Sequence, residues 1–140
     1  NYKPYTMKKV TSTNRQLLDL FKGLDSVKEI KGARFAVLVG KNMKEIKSVL
    51  DPLEAAAIPS MEFQELSLKM QELMKEEDSE AIEALEAESE ELIEERKKQL
   101  KAVEDMMDNE VDIHLHMIRE DQLPEEINGE QVAPLLQIIE

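Results

Sequence analysis

The chain contains no cysteine. Disulfide bonds, zinc–thiolate centres and thiol catalysis are therefore excluded. It also lacks an apolar run close to the roughly 20 residues that span a bilayer, because Arg34 interrupts the longest one, Ala33 to Gly40. No signal peptide is visible, since polar residues follow Lys8 and Lys9 where an apolar stretch would be needed. These absences predict a soluble intracellular protein.

Aromatic residues make up 4% of the chain, and tryptophan is absent. Eight methionines, together with leucine and isoleucine, must then fill the core. Thioether side chains pack adaptably, which suits contacts between helices better than a rigid catalytic pocket. A length of 140 residues predicts a single domain, residues 1–140. Met7 is a natural start, so we interpret residues 1–6 as upstream residues or as a disordered native arm.

Basic residues are scarce in the second part of the chain. Residues 1–59 hold 11 Lys/Arg and 6 Asp/Glu, whereas residues 60–140 hold 7 Lys/Arg and 25 Asp/Glu. Between Lys75 and Arg96, eleven acidic residues occur without a single Lys or Arg. Such a segment repels nucleic acid and anionic membranes, and it favours a basic protein partner or a basic surface of the same chain.

Apolar residues at helical spacing predict most of the fold. Thr13 followed three residues later by Gln16 is a capping box, which predicts a helix beginning there. A second helix is predicted over 33–57. Its apolar stripe consists of Phe35, Val39, Met43, Ile46, Leu50 and Leu53. The acidic segment 61–108 contains neither Gly nor Pro, and it is predicted as one long helix or as two helices with a hinge at 76–79.

Alternating apolar residues predict a strand over 111–118, and its expected partner is the β-prone piece Met7 to Val10. A short C-terminal helix is predicted around Leu135. The predicted fold is therefore mainly α with a minor β part. It comprises a long antiparallel helical hairpin of 33–57 and 61–108, a small two-stranded antiparallel β element and the C-terminal helix.

Asp112, His114 and His116 are candidate metal ligands. Residues two apart in a strand point to the same face, and two imidazoles with a carboxylate suit a divalent ion. Along a strand, however, neighbours on one face lie about 6.5 to 7 Å apart, which is wide for three ligands of one ion. We therefore interpret them as the solvent side of an amphipathic strand and predict no metal site.

Two charged surfaces are the candidate interaction sites. The acidic candidates are Glu83, Glu86, Glu90 and Glu94. Their carboxylates could imitate phosphates or receive a basic partner, and otherwise they form an ordinary solvated helix face. The basic candidates on the second helix are Arg34, Lys41, Lys44 and Lys47. This basic set is small and lacks interleaved aromatics, so we expect it to pair with an acidic helix of the same chain or of a neighbour rather than with nucleic acid.

Several segments together resemble a known family. They are 7–11 (Met-Lys-Lys-Val-Thr), 17–20 (Leu-Leu-Asp-Leu), 33–43 (Ala-Arg-Phe-Ala-Val-Leu-Val-Gly-Lys-Asn-Met), 111–116 (Val-Asp-Ile-His-Leu-His) and 123–131 (Leu-Pro-Glu-Glu-Ile-Asn-Gly-Glu-Gln). With the long acidic helix between them, this pattern is similar to a family of small tailed-bacteriophage proteins that is classed as a domain of unknown function. The resemblance covers most of the chain from Met7 onward. It implies a phage or prophage source, and it carries no catalytic residues.

No residue set in the sequence specifies a reaction. Gly40 is a single glycine in a helical stripe and not part of a phosphate-binding loop. We therefore expect no enzymatic activity and no cofactor. The predicted function is that of a non-enzymatic phage protein that acts through protein–protein contacts as a virion structural or assembly component, either of the head or of the tail.

The expected partners are other virion proteins or further copies of the chain, in the host cytoplasm or in the virion, with no membrane and no direct nucleic-acid contact. The alternative is an acidic inhibitor or DNA-mimic-like protein that binds a host nucleic-acid enzyme or defence complex. A third reading is a metal-dependent hydrolase that uses Asp112, His114 and His116.

Overall fold

The computed structural model describes residues 6–140 and confirms a mainly α fold with a minor β part. Residues 1–5, which carry most of the prediction about an N-terminal arm, lie outside the described residues. The elements are β1 (Met7–Thr13), α1 (Asn14–Val27), α2 (Ala33–Ala56), α3 (Met61–Lys75), α4 (Ser79–Glu88), α5 (Glu90–Met107), β2 (Glu110–His116) and α6 (Gly129–Val132), with 3₁₀ helices at Glu120–Gln122 and Ala133–Ile138.

The chain divides into two compact units. One combines the chain up to Pro52 with Met106–Glu140, and we call it the mixed unit. The other is Leu53–Asp105, which we call the hairpin unit. The single domain predicted from the length stays a prediction. In the part of the chain that the structure describes, no helix is long and apolar enough to cross a membrane.

The two strands of the mixed unit pair in antiparallel fashion, as predicted from the alternation over 111–118. Val10 lies opposite Ile113 in the register, and Met7 lies opposite His116. One residue beyond the ladder, the N–H of Met117 donates to the carbonyl of Thr6 at 2.8 Å. Ile113 is buried beneath the sheet, so the strand contributes to the core of this unit.

The first helix begins where its capping box predicts. The Thr13 hydroxyl accepts a hydrogen bond from the N–H of Gln16, and the Gln16 side chain accepts one from the N–H of Thr13. These two bonds satisfy donors that a helix N-terminus otherwise leaves unpaired. Leu17, Leu20 and Leu24 follow on the buried face, so α1 supplies a large part of the core.

The C-terminal segment differs from the predicted helix. Four residues of α6 are followed by a 3₁₀ helix with Pro134 near its start. Proline lacks an N–H and so cannot donate the bond that would continue the α-helix. The tighter 3₁₀ winding buries Leu135 and Ile138 completely, whereas Leu136 stays 63% exposed.

The hairpin unit has a break at 76–78, where the sequence predicted a hinge as the alternative to one long helix, and a second break at Ser89 that was not predicted. The segment predicted as one arm of a longer hairpin itself reverses direction at 76–78 and forms three helices. Glu77 has a left-handed backbone (φ 55°), and the N–H of Asp78 donates to the carbonyl of Leu73. This six-to-one bond ends α3 in the manner of a Schellman motif. Asp78 then caps α4 through the N–H of Ala81.

Helices α4 and α5 run back antiparallel to α3. Arg96 lies over the ring of Phe63, 5.6 Å from its centroid, and donates to the carbonyl of Ala57 at 2.7 Å. Gln99 donates to the carbonyls of Ala56 and Ile58 at 2.8 and 2.7 Å. These bonds satisfy carbonyls that the end of α2 leaves without helical partners, so they hold the open end of the hairpin together.

Candidate functional site

The three candidate metal ligands are not brought together. Asp112 and His114 are exposed, whereas His116 is 5% exposed and buried. The expectation that all three lie on a solvent-exposed face is therefore wrong for His116. Among residues 6–140, no group of three or more His, Asp or Glu side chains is placed to hold a metal ion.

The Asp112 carboxylate is occupied by neighbours on the paired strand. The Thr11 hydroxyl donates to it at 2.6 Å, and the Lys9 ammonium lies 3.4 Å away. The hydrogen bond from Thr11, aided by the charge of Lys9, lowers the pKa of Asp112 below its usual value. This carboxylate is therefore ionised at neutral pH, and its contacts with Thr11 and Lys9 link β2 to β1.

His116 is covered because α2 packs against the end of β2. The side chain of Asn42 accepts a hydrogen bond from the N–H of His116 at 2.7 Å and donates one to its carbonyl at 2.8 Å. Asn42 thus satisfies both backbone groups on the outer edge of the strand, as a further strand would. Burial lowers the pKa of the His116 imidazole, and the charge of Lys41 acts in the same direction.

The four basic candidates all lie on α2, and they have different neighbours. Lys47 pairs with Asp51 one turn later at 3.2 Å, and Lys41 lies beside His116. Arg34 lines a shallow cleft near the start of α2, together with Arg119. Lys44 is exposed. Each exposed ion pair of this kind contributes about 0 to 1 kcal/mol, so the basic set adds little stability.

The acidic candidates all belong to the hairpin unit. Glu83 and Glu86 lie on α4, Glu90 and Glu94 lie on α5, and all four are exposed. Ser89 separates the two helices with a non-helical backbone (φ −105°, ψ 15°), and its N–H donates to the carbonyls of Leu85 and Glu86 at the end of α4. Spacings of three and four place Glu83 and Glu86 on one face of α4, and Glu90 and Glu94 on one face of α5. Glu94 pairs with Lys97 at 3.4 Å.

The hairpin unit has little core of its own. Within Leu53–Asp105, all of which the structure describes, Leu66 is the one buried large apolar residue. Three others on α3 are largely exposed, namely Met61 at 72%, Leu68 at 64% and Met74 at 66%. Met61 and Leu68 are seven residues apart and therefore share one face of the helix. These exposed side chains are therefore available to a partner.

A groove lies between α3 and α4 near the turn of the hairpin. Its apolar lining is Leu73, Ala81, Ala84 and Leu85, and its polar lining is Lys69, Glu72 and Glu88. The groove has a volume of about 440 Å³ and is open to solvent. The two alanines keep it clear, because larger side chains at their positions would fill it.

No family model, curated protein or solved structure matches the chain. The resemblance to small tailed-phage proteins therefore stays a prediction. What the chain can do has to be inferred from the geometry of the two units.

Sequence reasoning missed two features of these sites. Asn42 falls on the apolar stripe between Phe35 and Ile46, and a polar residue in such a position was a signal of a buried hydrogen bond. The groove had a weaker signal, since Ala81 and Ala84 are small residues on a helix face that otherwise carries Ile82 and Leu85.

Proposed function

We propose that the chain is a non-enzymatic protein that acts through protein–protein contacts, and that the hairpin unit is its contact surface. The observation that carries the proposal is the exposure of Met61, Leu68 and Met74 on a unit with a single buried large apolar residue. A contiguous apolar patch is typical of interaction surfaces, and Met61 and Leu68, seven residues apart, share one face of α3. A role in assembling a phage particle is the setting that the sequence resemblance favours.

The net charge of the hairpin unit indicates which kind of partner it can bind. Leu53–Asp105 contains 17 Asp/Glu against 6 Lys/Arg. A net charge this negative repels nucleic acid, anionic membranes and another hairpin unit, and it accelerates association with a positively charged protein. The partner we propose is therefore a protein with a basic surface.

Site-specific photo-crosslinking in the bacterium that carries the chain tests this function. We expect a crosslinker at Met61 or Leu68 to give an adduct of defined mass with a second protein. The same group at Lys22, which is exposed on α1 of the mixed unit, serves as the matched control and should give none. Absence of adducts from both hairpin positions, or equal adducts from Lys22, would contradict the proposal.

A second candidate function is inhibition of a nucleic-acid enzyme by imitation of phosphates. The observation that favours it is the set of Glu83, Glu86, Glu90 and Glu94, of which the first three lie within ion-pair distance of no Lys or Arg among the described residues. Regularly spaced, unpaired carboxylates could occupy a groove that normally binds a phosphate backbone.

Replacing these four glutamates with glutamine separates the two functions. If the chain is a phosphate mimic, the wild type should enrich nucleic-acid-binding proteins from host lysate, added DNA should compete with them, and the quadruple variant should lose most of the enrichment. Enrichment that is insensitive to DNA, or unchanged in the variant, would rule this function out and leave the first.

A further inference from the structure

We propose that the groove between α3 and α4 binds a basic amphipathic helix. The proposal rests on the proposed function and names the partner's chemistry at one site of the hairpin unit. Two antiparallel helices form a channel in which a third helix can lie, and an apolar stripe laid into such a channel is a recurring mode of peptide recognition. Here the channel is the groove lined by Leu73, Ala81, Ala84 and Leu85.

The two alanines determine how closely the third helix can approach. Packed helices lie about 8 to 10 Å apart, and the shorter distances require small side chains at the contact. Ala84 is exposed and Ala81 half-buried, so both methyl groups are accessible from solvent. A leucine or methionine of the partner can therefore reach Leu73 and Leu85 between them.

The charge around the groove indicates that the partner helix is positively charged. From Lys69 to Glu95 the chain carries twelve Asp/Glu and two Lys, and the charged lining of the groove itself is Glu72, Glu88 and Lys69. A helix that carries Lys or Arg beside its apolar stripe would gain ion pairs on both sides. A second copy of the hairpin would instead bring the same negative charge to the contact and be repelled.

A labelled synthetic helix provides the probe. It is an 18-residue peptide of leucine and lysine with leucines at helical spacing, compared with a peptide of the same composition in which the leucines are evenly scattered. We expect fluorescence anisotropy at about 0.15 M salt to show at least tenfold tighter binding of the amphipathic peptide, a difference of about 1.4 kcal/mol. Equal affinities would mean that charge alone drives binding and would overturn the proposal.

A pair of matched variants locates the site. Ala84→Leu fills the groove, whereas Ala87→Leu makes the same change on α4 at an exposed position that does not line it. Leucine and alanine are both good helix formers, so neither variant should unfold the helix, and far-UV circular dichroism checks this. We expect Ala84→Leu to weaken peptide binding at least tenfold and Ala87→Leu to change it less than twofold.

Equal effects of the two variants, or unchanged binding by Ala84→Leu, would overturn the groove as the binding site. The proposed function is judged separately, because Met61 and Leu68 do not line the groove and their crosslinks do not depend on it. If crosslinks form but the peptide does not bind the groove, the proposed contact function stands and the groove is not its docking site. If the peptide binds the groove but no crosslinks form, the groove is a helix-binding site and the contact function proposed for Met61 and Leu68 is wrong.

Discussion

Replacing Asn42 with alanine is expected to lower the free energy of unfolding of the mixed unit by about 3 kcal/mol or more. The side chain is fully buried and satisfies both the N–H and the carbonyl of His116. Each buried backbone group left without a partner costs about 1–3 kcal/mol. Urea unfolding, followed by circular dichroism and by amide hydrogen exchange of β2, measures the loss.

Asn42→Leu separates hydrogen bonding from packing. Leucine restores the volume but neither bond, so this variant should remain nearly as unstable as Asn42→Ala. Lys44→Ala, an exposed change on the same helix, should stay within about 0.5 kcal/mol of the wild type. Recovery of wild-type stability by leucine would show that the cavity, not the bonded backbone, accounts for the role of Asn42.

The second large effect is that two glycine-to-alanine substitutions are expected to change the free energy of unfolding in opposite directions. Gly23→Ala should destabilise the mixed unit by about 1–2 kcal/mol, because overpacking costs about 1–3 kcal/mol and outweighs the gain in helix propensity. The added Cβ would lie 2.8 Å from Cβ of Pro134. Pro134 cannot easily yield, because the next residue, Leu135, is completely buried.

Gly40→Ala is the matched control in α2. A Cβ at this position meets nothing within 4 Å among the described residues. Alanine should therefore stabilise the helix by about 0.5–1 kcal/mol, the usual gain over glycine in a helix interior. Urea midpoints of the two variants should move in opposite directions. A shift in the same direction for both would contradict the close packing of Gly23 against Pro134.

Local signals in the sequence predicted the elements well. The capping box of Thr13 and Gln16 and the strand alternation over 111–118 depend on neighbouring residues alone, and both appear in the structure. The hinge at 76–79 was predicted only as an alternative to one long helix, because a left-handed residue at a helix end is usually glycine or asparagine and here it is Glu77.

Long-range contacts escaped prediction for a different reason. The bonds between Asn42 and His116 join residues 74 positions apart, and the approach of Pro134 to Gly23 joins two segments of the same unit that are also distant in sequence. Neither leaves a periodic pattern. The candidate charges were found by counting, but counting does not reveal that Lys47 pairs with Asp51 while Glu83 forms no ion pair with residues 6–140.

The position of the hairpin unit within the chain has a consequence for folding. Its 53 residues, Leu53–Asp105, separate the two segments that build the mixed unit. Closing a long flexible connection costs entropy that grows with its length. The bonds of Gln99 to Ala56 and Ile58 bring the two ends of this insertion together from within. If the hairpin forms early, it brings Pro52 and Met106 close together before the core of the mixed unit assembles. The inserted unit would then lower the entropic cost of assembling that core.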